Sequence, residues 1–358
     1  MGSLRKIRER IHSVEMTRQM TSSMKVVAVS RLKRKHATFL EAIPFADEMN
    51  RVTRRLIRAL KMKQETAVWQ NKNAGIHWPP LLNGNGRENR YLVVMVTSDD
   101  GLSGTSSLQV VLAVQKVIDY LREQKKEVFV VAYGIRGSDM LKRICPDVNI
   151  MVISGKKTKE MTAYLNAERL TADVIKSFEQ NRFDVCLIVY NQFKSIVMQS
   201  PIIEQMIPNK IFLKENPWAF LTETDSALSD SLGQKKKVLR KSSFLSAIGG
   251  VDVLSSLKGA IFKTDLSGGK RSPYLYDYEP SELGLLNSIL PRYLTAYIYR
   301  VILESEVSDN AARLMAMDNA TRNAGDMLSG LEKNYRRTRQ TRITTDIAEV
   351  SGGSAQGG

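Results

Sequence analysis

Apolar residues recur every three or four positions at both ends of the chain, with a different rhythm between them. Leu4, Ile7, Ile11 and Val14 open the pattern, and from Leu4 to Leu60 there is no glycine and one proline, Pro44. That spacing predicts a long helix with an apolar seam. Beyond Val14 the apolar positions are Met16, Met20, Met24 and Val27, continuing through Ser22 and Ser23 to Leu32. Read this way, a sharp heptad is not sustained. After Pro280, Leu283, Leu286, Leu290, Tyr293 and Tyr297 begin a second helical stretch that reaches about Val350. Pro291 predicts a kink there, or a restart with the proline in the first turn. About 60 residues of helix at 1.5 Å each span roughly 90 Å, longer than a compact domain of this size. Such a rod gains little from helix propensity alone and needs a partner along its length. The first helix is the candidate, which places the middle of the chain as a head on a two-helix stalk. Two separate bundles are the alternative.

The middle alternates strands and helices. YLVVMVTS, EVFVVAYG, VNIMVIS and FDVCLIVYN read as buried strands. Ser106–Glu123, Ser138–Ile144 and Lys159–Gln180 read as the helices between them. SIVMQSPIIEQMIP adds a further strand or hairpin, interrupted by Pro201. Trp78-Pro79-Pro80 and Asn83-Gly84-Asn85-Gly86 make 61–90 a surface loop. Residues 214–272, rich in Ser, Gly and Lys, read as an insertion whose role is not legible. The expected organisation is a helix over 1–60, the loop 61–90, an α/β domain over 91–213, the insertion 214–272, and a terminal helix and tip over 273–358.

Charge and cysteine content narrow the function. Lys and Arg number 53 against 37 Asp and Glu, a net charge of +16, which calls for an anionic partner surface. No zinc-finger spacing, RNA-recognition motif or clustered basic tail accompanies it, so nucleic acid is not expected. Cys145 and Cys186 lie far apart with no C-x-x-C, which encodes neither a disulfide framework nor a zinc site. No run of about 18 apolar residues appears, so neither a membrane span nor a secretory signal is expected.

No glycine-rich loop ends in Gly-Lys-Ser/Thr. Gly155-Lys156 is followed by Lys157, and Gly269-Lys270 by Arg271, so nucleotide hydrolysis by this chain is not expected and no cofactor is called for. TSDDGLSG follows a strand and precedes a helix, where α/β folds bind ligands. Its other reading is a glycine turn in which Asp99, Asp100 or Ser103 caps backbone N–H groups. His12, His36 and His77 form no metal or triad constellation. Lys333, Arg336, Arg337, Arg339 and Arg342, with Gln340 and Thr344 among them, are either a solvated face near a helix C-terminus or directional contacts for carboxylates and carbonyls of another protein.

IRERIHSVEMTRQMTSSMKVVAVSRLKR, LLNSILPRYL, ILESEVSDNAARLMAMDNATRNAGDML and YRRTRQTRITTDIAEVSGG resemble the two ends of rotary ATP synthase gamma subunits. The resemblance extends to YDYEPS and the TSDDGLSG loop, and excludes the two insertions. Asp100 and Ser103 stand where the family usually has Arg and Cys; Asp346 stands where Glu is usual, and Gly353 where Ala is usual. The family's fold implies an antiparallel coiled coil of the terminal helices plus a Rossmann-like central α/β domain. It implies a non-catalytic central-stalk rotor, partnered by the catalytic alpha and beta subunits in a hexameric ring, an epsilon/delta-type stalk subunit and a membrane c-ring. The location implied is peripheral, on the cytoplasmic face of a bacterial inner membrane or the matrix face of a mitochondrial one. Arg339, Gln340, Thr344 and Asp346 match positions facing the catch loops of the catalytic subunits, and Met24 and Lys25 match a position on the first helix facing the same ring. A coiled-coil scaffold or basic nucleic-acid adaptor, or an enzyme acting on a phosphorylated ligand at TSDDGLSG, are the rival readings.

Overall fold

A computed structural model describes residues 2–69, 78–153, 163–209, 218, 220–223, 279 and 281–354. The two ends of the chain are each one helix, α1 (Gly2–Trp69) and α7 (Glu282–Ser354), of 68 and 73 residues, and they pack against each other. At 1.5 Å per residue each is about 100 Å or longer.

The seam between them differs from the expectation. Met16, Met20, Met24 and Val27 are 50, 59, 39 and 50% exposed. Instead, Leu4, Ile7, Ile11, Val14, Thr21, Lys25, Ala28, Leu32, Lys35, Phe39 and Ala42 form a stripe withdrawn from solvent, joined past Ala28 by Val29, His36, Thr38 and Leu40. The stripe's spacing alternates between three and four, skipping only exposed Arg18, so a heptad is sustained after all. Steps of four from Met16 to Met24 drift off a 3.5-residue stripe, whereas the stripe itself runs through polar residues. On α7 the matching positions are Leu314, Met317, Thr321, Ala324, Leu328, Leu331, Tyr335 and Thr338. Polar groups on the stripe find partners across it. The Thr321 hydroxyl donates to that of Thr21 at 3.0 Å, and Lys25 Nζ lies 2.7 Å from Asp318 Oδ1.

Two further boundaries shift. α1 continues to Trp69 because KMKQETAV contains neither glycine nor proline, so the expected loop 61–90 begins as helix. α7 begins at Glu282, and Pro291 lies inside it rather than in its first turn. The insertion 214–272 lies outside the described residues apart from Trp218 and α6 (Phe220–Glu223). Trp218 packs edge-on against Tyr91 and Tyr120, with ring centroids 6.1 and 6.0 Å away.

The head contains α2 (Pro80–Asn83), β1 (Arg90–Val96), α3 (Ser106–Glu123), β2 (Glu127–Tyr133), α4 (Ile135–Ile144), β3 (Ile150–Ile153), α5 (Ala163–Glu179), β4 (Val185–Phe193) and β5 (Gln199–Ile207). The strands form one sheet in the order β3-β2-β1-β4-β5, all parallel except β5. β5 pairs with β4 alone among the described strands, and this edge place tolerates Pro201, which has no N–H to give. Side chains alternate across the sheet. Val93, Met95, Val130, Leu187 and Val189 pack with α3 and α4. Leu92, Val94, Cys186, Ile188 and Tyr190 pack with α5 and with Leu56, Ile57, Leu286, Leu294 and Ile298 of the long helices. The chain therefore winds outward from β1 to β3, then returns through α5 to β4 on the other side of β1. The carboxyl ends of β1 and β4 frame the crevice where open α/β sheets receive ligands.

Asp184 pins the start of β1 to β4. No solvent reaches its side chain, which accepts from Asn85 Nδ2 at 2.7 Å, the Asn89 and Arg90 backbone N–H groups at 3.1 and 3.0 Å, and Arg90 Nη2 at 3.2 Å.

Candidate functional site

The crevice at the switch point is filled by the chain's own helix. Loop 97–104 leaves β1 and folds over α7. The Ser305 hydroxyl donates to the Val96 carbonyl at 3.5 Å, and Arg313 Nε to the Gly101 carbonyl at 3.2 Å. The Ser98 hydroxyl donates to the Asp100 carbonyl at 2.9 Å within the loop. The Asp309 carboxylate, beside the hydroxyls of Ser98 and Ser103, meets Arg313 Nη2 at 2.9 Å, with its other oxygen buried and without a hydrogen bond among the described residues. Asp99 Oδ1 accepts from the Ile135 N–H at 2.8 Å, capping α4. Gly134 must be glycine at that turn: its φ is +107°, and a Cβ would sit 2.2 Å from the Thr97 carbonyl oxygen. Asp100 pairs at 3.7 Å with Arg31 of α1. Of the two readings of TSDDGLSG, the structure therefore shows the turn whose carboxylates and hydroxyls serve the chain itself.

A second buried polar group joins β4 and β5 to α7. The Tyr297 hydroxyl donates to Glu204 Oε2, the Arg300 guanidinium lies over the Tyr297 ring at 5.8 Å, and Glu304 Oε1 accepts from the Phe193 N–H at 3.3 Å. Burial pushes the Glu304 carboxyl up to about 7, with nearby Glu204 adding to the rise and Arg300 opposing it. Burial likewise raises Asp309, against the pull of Arg313, Ser103 and Ser98.

Along the shaft the polar contacts form a ladder. Lys35 meets Glu306 at 2.7 Å, Asp318 is held between Lys25 and Arg322, and Arg8 Nη2 donates to the Tyr335 hydroxyl at 2.8 Å. Burial pushes the Asp318 carboxyl up, but the two cations outweigh it and leave it below the usual range.

The predicted site residues fall at two levels. Arg339, Gln340, Thr344 and Asp346 are exposed on α7 past Thr338, where the seam with α1 ends. Thr344 donates back to the Gln340 carbonyl at 3.0 Å, and Arg342 and Asp346 form a loose pair at 4.0 Å. Such an exposed pair adds little. Ile343 and Ile347 stand beside them, 45 and 63% exposed. Met24 and Lys25 lie level with Asp318, about 30 Å down the shaft. Met24 points outward, whereas Lys25 is tied to Asp318. Sequence reasoning missed Asp318, Asp309, Arg313 and Glu304. Their signal is that they, with Glu306 and Asn310, interrupt a stretch of α7 that is otherwise apolar, small or hydroxylic.

Among the described residues no group of His, Cys, Asp and Glu is arranged to hold a metal ion, and no helix is long and apolar enough to cross a membrane. His36 packs edge-on against Phe193, and both cysteines are buried and free, with burial raising each thiol. His77, Gly155-Lys156 and Gly269-Lys270 lie outside the described residues.

The sequence model of the family described as ATP synthase matches residues 3–356. The ATP synthase gamma chain of Rhodospirillum rubrum is 32% identical over 354 residues, covering 99% of both chains. That of Paracoccus denitrificans is 30% identical with the same coverage. The chain belongs to the ATP synthase gamma chain family. A solved chain from the Euglena gracilis mitochondrial ATP synthase shares the fold with a TM-score of 0.54 at 15% identity, covering 99% of this chain and 94% of that one. One from the central stalk and c-ring of the Tetrahymena thermophila enzyme has a TM-score of 0.50 at 19% identity, covering 84% and 99%.

Within this gamma family member, Glu304 titrates at the joint between head and shaft. A buried acid with a raised pKa keeps its proton in the folded chain where the unfolded chain has lost it. Stability therefore falls as pH climbs from the ordinary glutamate value near 4.5 to about 7 and levels off above that. Across this window the folded chain is expected to lose about 1–3 kcal/mol to Glu304. Glu304→Gln should remove that part of the slope in urea unfolding between pH 5 and pH 8, taken as roughly bracketing the window. An unchanged slope in the variant would place the titration elsewhere.

Proposed function

We propose that this chain is the non-catalytic central-stalk rotor of an ATP synthase, coupling ion-driven rotation of a membrane ring to the conformational cycle of a catalytic alpha/beta hexamer. The observation that carries the reading is the shaft. Two helices of unequal surface are wound together, and one of them runs on past the end of the seam as an exposed tip. A helix transmits twist because its backbone hydrogen bonds are internal. Unequal faces let one shaft bias three otherwise equivalent sites, since a ligand or partner shifts an equilibrium only by its differential contact with the two states. Each 1.4 kcal/mol of such difference changes a site's equilibrium about tenfold.

In this reading Arg339, Gln340, Thr344 and Asp346 meet the catch loops of the catalytic ring, and Met24 presents an outward surface lower down. Lys25 acts by holding Asp318, and so sets the face that α1 and α7 share. The head rests on the membrane ring with an epsilon/delta-type companion subunit. The chain is thus peripheral to an energy-transducing membrane, on the cytoplasmic or the matrix side. The sequence supports a non-catalytic role, since it has no glycine-rich loop ending in Gly-Lys-Ser/Thr to cradle phosphates.

Affinity isolation of the native chain, with mass identification of its partners, tests the proposal. The expected result is one copy of the chain per ring of nucleotide-binding subunits. Isolation without those subunits, together with salt-dependent binding to DNA, would favour the basic adaptor reading instead.

A further inference from the structure

We propose that the polar patch between loop 97–104 and α7 is a phase lock, which fixes the register of the α/β head on the shaft so that the two turn as one body. The inference rests on the rotor reading and concerns how torque passes from head to shaft. Ser305, Asp309 and Arg313 are spaced four apart, so they form one line along α7: Ser305 donates to Val96 O and Arg313 to Gly101 O, while Asp309 lies beside Ser98 and Ser103 and holds Arg313. Tyr297, Arg300 and Glu304 form a second line, facing β4 and β5.

The apolar residues among them, such as Val301, Ile302 and Val307, are fully buried but give contacts without direction. Polar groups behave differently. A slip of one residue turns a helix by about 100° and moves it 1.5 Å along its axis. Both lines would then lose their partners together, in a place where Ser305, Asp309 and Glu304 are almost wholly shielded from replacement by water. The alternative registers are thereby excluded, as a buried polar residue excludes them in a coiled coil. α1 meets the same loop at the half-exposed Arg31–Asp100 pair, whereas the shielded contacts described above are made by α7. Ser305, Asp309 and Arg313 are positioning residues, acting on the angle of the shaft and on no reacting atom.

A paired-cysteine variant tests this. A Cβ at Gly104 would lie 3.6 Å from Ala316 Cβ, within the range that a disulfide spans. The native cysteines are buried. Gly104→Cys with Ala316→Cys is expected to cross-link fully in the isolated chain under mild oxidant, with Gly104→Ala controlling for the positive φ at that position. No cross-link would overturn the register. In the complete, membrane-reconstituted complex, the oxidised variant is expected to make and hydrolyse ATP within twofold of its reduced form. A larger loss restored by dithiothreitol would show the head moving on the shaft in each cycle and would overturn the lock. In the same complex Arg313→Met is expected to lower ions transported per ATP hydrolysed at least threefold, with hydrolysis kept within twofold. Loss of both in parallel, or of neither, contradicts a positioning role. Failure of the unsubstituted chain to assemble with nucleotide-binding subunits would instead contradict the rotor reading, leaving the cross-link in the isolated chain to judge the register.

Discussion

Replacing Arg339 and Gln340 together by alanine is expected to lower ATP synthesis by the reconstituted complex at least tenfold while leaving the isolated chain folded. Both side chains are exposed on α7 beyond Thr338, the last withdrawn position of the seam, so the fold leans little on them. Alanine is at least as good a helix former as either, and surface changes of this kind shift stability by about 0.5 kcal/mol or less. Against a ring of other subunits the same groups act as a guanidinium fork and an amide. A hydrogen bond to a charged group is worth about 1.5–3 kcal/mol, and about 1.4 kcal/mol in a barrier is already tenfold in rate. Circular dichroism of the chain and ATP synthesis by vesicles holding the double variant separate the two effects. Unimpaired synthesis would remove the tip from the coupling contact.

Asp184→Ala is expected to have the largest effect on stability, about 3 kcal/mol, read from urea unfolding of the chain. It strands the Asn85 amide, two backbone N–H groups and the Arg90 guanidinium at the point where β1 begins. The wild-type chain carries the acid counterpart of the same effect. Burial pushes the Asp184 carboxyl up, but these donors outweigh it and leave its pKa below the usual aspartate value of 3.8. A depressed pKa stabilises above the unfolded value and loses that stabilisation as pH falls through the folded one. Asp184 therefore steepens unfolding below about pH 4, a contribution absent from the alanine variant. An alanine variant within about 1 kcal/mol of wild type would show that the β1–β4 junction does not depend on this carboxylate.

The strands and the helices between them were legible because buried parallel strands are continuous apolar runs and their helices are amphipathic. The pairing of first helix with last was legible from length alone, since neither rod has another partner of its reach. The seam was not. Hydrophobicity followed Met16, Met20 and Met24, while the contact follows Thr21, Lys25 and Ala28, because hydroxyl and ion pairs across the coil satisfy polar groups that a sequence shows as surface. Asp309, Arg313 and Asp318 stayed hidden for the same reason: their partners lie in a distant part of the chain. Of Asp99, Asp100 and Ser103, read as candidate caps of backbone N–H groups, Asp99 plays that part on α4, and that α7 occupies their crevice is a fact of tertiary structure. The two levels of the candidate site follow from rise per residue once α1 and α7 are aligned, and that alignment is set by contacts between distant parts of the chain.

The 3.5-residue spacing of the seam winds the helix pair with a left hand. A two-stranded rope tightens when twisted with its lay and slackens when twisted against it. The pair is therefore stiffer to one sense of torque between head and tip than to the other, so the direction in which ATP is made and the direction in which it is spent meet springs of different strength.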